Sequence, residues 1–127
     1  MSGKTYKINI EMYPAKMIVS FEHDFKVFKK DVAGALEGIT KTALNTFAEY
    51  FKDPVDKGHT ARLHTGDVVV TLGSTDHGVI AHEVFHAVIC YLDTHGLKLT
   101  MHSQEAFAYL IQYVTVAIYQ IIKEEEA

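Results

Sequence analysis

The chain has 127 residues, enough for one domain with a real core, so residues 1–127 are read as a single domain. A hydrophobic content of 48 % suits a globular protein, while a net charge of −4 without any basic stretch argues against nucleic-acid binding. One cysteine, Cys90, excludes an intrachain disulfide; Met1–Asn9 lacks the apolar stretch of a signal peptide, and no uninterrupted apolar run reaches a membrane span, so a cytoplasmic, reducing setting without membrane contact is expected.

Along the chain, Lys7–Tyr13 alternates Ile8, Ile10 and Met12 with polar neighbours, which is strand periodicity. Tyr13-Pro14-Ala15-Lys16 signals a turn and Met17–Glu22 a second strand, together a β-hairpin. Phe25–Leu36 is ambiguous: Phe28, Val32 and Leu36 fit a helix, but Gly34 weakens it. Ile39–Phe51 is a clearer amphipathic helix, with Leu44, Phe47, Ala48 and Phe51 on one side and Asp53-Pro54 ending it. Residues 54–62 read as a polar loop, with Arg62–His64 entering a strand and Gly66-Asp67 marking a turn. Val68–Leu72 is a strand by its β-branched content.

The next segment carries the chemistry. Gly73-Ser74-Thr75-Asp76 offers N-cap residues and Gly96 a C′ glycine, so a helix is expected between them. From Val79 to Leu92 the only polar side chains besides Cys90 and Tyr91 are His82, Glu83 and His86. A helix apolar all round is expected in the core, where a carboxylate and two imidazoles cannot be left unpaired. Residues four apart share a helix face, so His82 and His86 can hold one Zn2+ ion, and Glu83 beside it can take a proton from a bound water. Cys90 is read as a small core residue.

A catalytic zinc needs a third ligand. Ile89 and Leu92 occupy the positions where a metzincin would have Gly and His. His95 would lie about 13 Å from His86 along a continuing helix, too far to share the ion. Glu105 is the best candidate. Ser103 reads as the N-cap of a last helix whose apolar stretch is Ala106–Ile122, with Glu105 in the first turn, where the helix dipole favours the ionised carboxylate. The ordinary alternative is an acidic first-turn residue with no ligand role. Gly96–His102 is a connector and Lys123–Glu126 a solvated tail. Tyr109, four residues after Glu105, is either an oxyanion-stabilising group or, as the better reading, a core tyrosine. His64, His77 and His102 flank the motif and are read as surface histidines.

Residues 87 to 104 separate His86 from Glu105, giving HExxH-x18-E. This pattern resembles the gluzincin class of zinc metallopeptidases, and Gln104-Glu105-Ala106-Phe107-Ala108 is similar to the stretch that carries the third ligand in their aminopeptidase branch. The chain also looks like the small single-domain HExxH proteins often encoded by phages and prophages. The resemblance implies an α+β, minimal zincin-like fold in which a small sheet packs against the metal helix and a C-terminal ligand helix. It implies Zn2+ on His82, His86 and Glu105, Glu83 as general base, and a peptide or protein substrate. It also suggests that Val68–Leu72 borders the cleft and could pair with an extended peptide; a strand simply covered by its neighbours is the equal alternative. The large gluzincins have a further domain walling the cleft, for which this chain has no length. Two other readings stay open: a non-catalytic binding or structural protein using the same zinc, and a metal-free site whose three polar groups bond one another.

Overall fold

The computed structural model describes residues 5–22, 24–36, 39–49, 58–63 and 65–126. Four strands and four helices among them make a mixed α+β arrangement: β1 Thr5–Ile8, β2 Met17–Ser20, α1 Phe25–Ala35, α2 Lys41–Glu49, β3 Gly58–Arg62, β4 Val68–Leu72, α3 His77–Thr94 and α4 Gln104–Glu126. The sheet order is β1-β2-β4-β3. β1 and β2 are antiparallel, β2 and β4 parallel, and β3 and β4 antiparallel.

β-Branched and apolar residues explain the centre of the sheet. Every residue of β2 and of β4 is buried, as a strand covered on both faces requires. One face carries Met17, Val19, Val68, Val70 and Leu72 into the main core with α3 and α4. The other face carries Ile18 and Val69 into a smaller cluster with Phe28, Val32 and Leu36. That cluster resolves the ambiguous segment after β2 as helix α1. Asp24 caps α1, its side chain accepting from the backbone N–H groups of Lys26 and Val27. Gly34 lies on an open surface, with no atom within 4 Å of where a Cβ would stand. The second predicted helix corresponds to α2; the side chains of Phe47 and Ala48, and the whole of Phe51, lie outside the described residues.

The hairpin is present but its strands are shorter than expected. β1 ends at Ile8, and the chain then leaves the sheet to pack on the end of α3. There Tyr13 stacks edge-on against Tyr91 at 5.8 Å and lies 4.3 Å from the His95 ring, and Tyr91 Oη donates to the Ala15 carbonyl at 2.5 Å. Ile10 therefore serves tertiary packing and not the sheet, and Met12 is left exposed.

Three other expectations need correction. The segment read as a polar loop holds β3, an edge strand paired with β4 from Gly58↔Leu72 to Arg62↔Val68. Apart from Thr60, its residues Gly-His-Thr-Ala-Arg are weak strand formers, and pairing with the strongly β-forming β4 supplies what they lack. The strand ends where the other was expected to start: Gly66, at φ +93°, turns the chain, with its N–H donating to Leu63 O at 2.9 Å. Finally, the solvated tail is helical. α4 runs to Glu126, and Tyr6 Oη donates to Glu125, tying the last turn to β1.

α3 begins at the expected cap, Asp76, whose carboxylate accepts from Gly78 N at 3.0 Å, and closes at Gly96, φ +82°. Ser103 precedes α4 as expected, but its hydroxyl donates to Lys98 O and accepts from Thr100 N instead of capping the helix. α3 and α4 run antiparallel: His77 meets Tyr119 at one end, and Leu92 adjoins Ala106 and Leu110 at the other. α4 is long and apolar enough to cross a membrane by length and composition. It nevertheless buries a stripe of Phe107, Leu110, Val114, Ile118 and Ile122 in the core.

Candidate metal centre

α3 forms because the chain from Val79 to Leu92 lacks helix breakers and is capped at both ends. The sheet and α4 cover Ile80, Val84, Ala87, Val88, Tyr91 and Leu92. They leave uncovered the face that carries Ala81, His82, Phe85 and His86. The expectation that all three motif side chains sit in the core is thus corrected: His82 keeps 65 % of its side chain exposed, and only Glu83 is buried, at 6 %. A helix packed on a sheet on one side and on a single helix on another keeps a solvent face however apolar its sequence.

The i, i+4 spacing brings the two imidazoles together as anticipated. His82 Nε2 and His86 Nε2 are 3.2 Å apart, with the rings edge to face at 72°. Two nitrogens on one tetrahedral zinc, each about 2.0–2.1 Å from it, are separated by about 3.3 Å. The pair therefore has the spacing that zinc requires of two ligands. Beside it, Glu83 Oε2 is 3.9 Å from His82 Nε2. Phe85, 46 % exposed, forms an apolar flank.

Glu83 is held from the sheet. Thr60 Oγ1, on β3, donates to Glu83 Oε1 at 2.8 Å. Gly58, two residues earlier on the same face, lets the carboxylate approach: a Cβ there would stand 2.6 Å from Glu83 Cγ. A cleft of about 340 Å³ opens at this point, lined by Gly58, Gly78, Val79, His82 and Glu83. Neither Thr60 nor Gly58 stood out in the sequence; the alternation Gly58-Thr60-Arg62, which faces α3, was the only signal.

The remaining candidates lie elsewhere. Glu105 is exposed in the first turn of α4. Among the described residues no three His, Cys, Asp or Glu side chains form a metal-holding group, so the structure does not bring Glu105 to the histidine pair. Tyr109 is neither buried nor part of the site: it is 67 % exposed and lines an apolar depression with Met12, Tyr13, Leu110 and Tyr113. His77 stacks on Tyr119, its Nδ1 2.5 Å from the hydroxyl. His95 Nδ1 bonds Tyr91 O at 2.8 Å at the end of α3. His102 is exposed, and His64 lies outside the described residues. Cys90 is half-buried, and burial pushes its thiol pKa up, which suits a packing residue.

Of the two readings of Val68–Leu72, the structure bears out the strand covered by its neighbours. Val68–Leu72 is β4, paired on both sides and unable to accept a further strand; among the described residues the strand beside the motif with an outer edge is β3. Searches of protein-family models, of curated proteins and of solved structures found no match to this chain.

Proposed function

We propose that this protein is a small zinc-dependent hydrolase of peptide bonds, with the metal on His82 and His86 and with Glu83 as the proton carrier. The observation that carries the reading is the 3.2 Å Nε2–Nε2 separation beside a buried carboxylate. Zinc held there would act as a Lewis acid and make a water nucleophilic near neutral pH. The chain's own part is proton transfer. Thr60 occupies Oε1 of Glu83, which leaves Oε2, on the His82 side, to take the proton of the attacking water and return it to the departing amine. Among the described residues no third protein ligand stands beside the pair, and the start of α4, with Glu105, lies by Leu92, so the proposal rests on the two histidines.

The test is metal content by elemental mass spectrometry for the wild type, His82→Ala and Glu105→Ala, followed by peptide-library cleavage with Glu83→Gln as control. About one zinc per chain, lost in His82→Ala and kept in Glu105→Ala, together with cleavage that vanishes in Glu83→Gln, is the expected result. Zinc without cleavage would instead support the non-catalytic binding or structural protein.

A second reading has an observation of its own. The 3.2 Å separation also suits a hydrogen bond between one protonated and one unprotonated imidazole nitrogen. A metal-free protein of that kind would keep its thermal stability in chelator.

A further inference from the structure

α4 carries two stripes. The inner one is buried in the core; the outer one consists of Glu105, Tyr109, Gln112, Val116, Tyr119 and Lys123, spaced alternately four and three residues apart, all exposed but Tyr119, which is half-buried against His77. These steps average 3.6 residues, the period of the helix itself, so the six positions run straight along one face against which a second helix can lie. Tyr109 is 67 % exposed and Val116 60 %, and the neighbouring Tyr113 and Met12 are 50 % and 84 % exposed. Aromatic residues and methionine at this exposure are the composition of an interface core. A shallow groove of about 510 Å³ runs along the stripe between Tyr109 and Gln120.

The order of residues in the stripe selects its occupant. It starts with an acid, Glu105, and ends with a base, Lys123, and its six positions are symmetric about Val114. A second copy of α4 laid antiparallel would set Glu105 against the partner's Lys123, Tyr109 against the partner's Tyr119 and Gln112 against the partner's Val116. The two-fold axis repeats each pairing. A parallel arrangement would oppose like charges at both ends. An anionic membrane surface is disfavoured, because Lys123 is followed by Glu124, Glu125 and Glu126 and the chain carries net charge −4.

We propose that this chain forms a two-fold homodimer through antiparallel pairing of the outer face of α4. The proposal does not rest on the metal centre, whose two histidines lie on α3 and not on the outer face of α4.

Analytical ultracentrifugation of the purified full chain tests it, with zinc content measured on the same samples so that loss of metal and loss of dimer are read apart. The wild type is expected to be a dimer and Val116→Asp a monomer with unchanged circular dichroism. Glu105→Lys and Lys123→Glu should each weaken the dimer by about tenfold, and the double exchange should restore it. A monomeric wild type, a dimer indifferent to Val116→Asp, or a double exchange that fails to recover would each overturn the proposal. A monomer that floats with neutral phosphatidylcholine vesicles would overturn it in favour of a lipid surface.

Discussion

Thr60 donates its hydroxyl proton to Glu83 across the gap between β3 and α3, at 2.8 Å. The carboxylate is buried at 6 % exposure, and this bond is what a buried acceptor needs in place of water. Thr60→Val keeps the shape and removes the donor, so it should destabilise the fold by about 1–3 kcal/mol, while Thr60→Ser should cost much less. Urea unfolding of the two variants measures the difference. Zinc content should stay at the wild-type level in both, since neither touches His82 or His86.

Gly58→Ala should destabilise by roughly 1–3 kcal/mol, because its methyl group meets Glu83 Cγ. In a Glu83→Ala background that clash is gone, and the same substitution should be nearly neutral. A double-mutant cycle by thermal unfolding reads this coupling. Equal destabilisation in both backgrounds would mean that Gly58 serves the strand backbone and not the carboxylate.

Zinc added to metal-free protein should raise the melting temperature, by the equivalent of about 2.7 kcal/mol when free zinc is a hundred times its Kd. Chelator should reverse the shift, and His82→Ala should abolish it. The gain should also disappear in acid, since imidazole ligands must be unprotonated to bind.

Two tyrosines set an alkaline limit. Burial pushes the Tyr6 hydroxyl up to about 12, with the hydrogen bond to Glu125 adding to it, and burial pushes Tyr91 up to about 12 as well. A folded-state pKa above the unfolded value of about 10 favours folding below that pH. The contribution is lost as pH rises from about 10 towards 12, where the unfolded chain ionises more readily. Stability should therefore decline over that window, and Tyr6→Phe should flatten part of the decline in a pH series of denaturation midpoints.

The histidine pair was legible because helical spacing alone fixes which side chains share a face. Its exposure was not, because that depends on how many neighbours α3 receives, and Phe85 looks the same in sequence whether covered or not. β4 was readable from Val68-Val69-Val70, whereas β3 was hidden because its Gly, His and Arg become a strand only by pairing with it. Ile10 and Met12 carried a strand pattern that the packing of Tyr13 on Tyr91 overrode. Glu105 was assigned by spacing to a motif partner, and spacing cannot report which way the first turn of α4 faces.

The parallel junction of β2 and β4 places Lys16 N against Asp67 Oδ1 at 2.6 Å, across 51 residues of sequence. Each half of the chain thus holds one antiparallel strand pair, β1-β2 or β3-β4, and the seam between the halves closes only after a long loop has been brought round. Folding should wait on that seam, and each half left alone would present an apolar, unsatisfied strand edge. Two fragments divided between Glu22 and Gly58 would accordingly be each other's missing edge, and co-expressed they should reassemble where neither is soluble by itself.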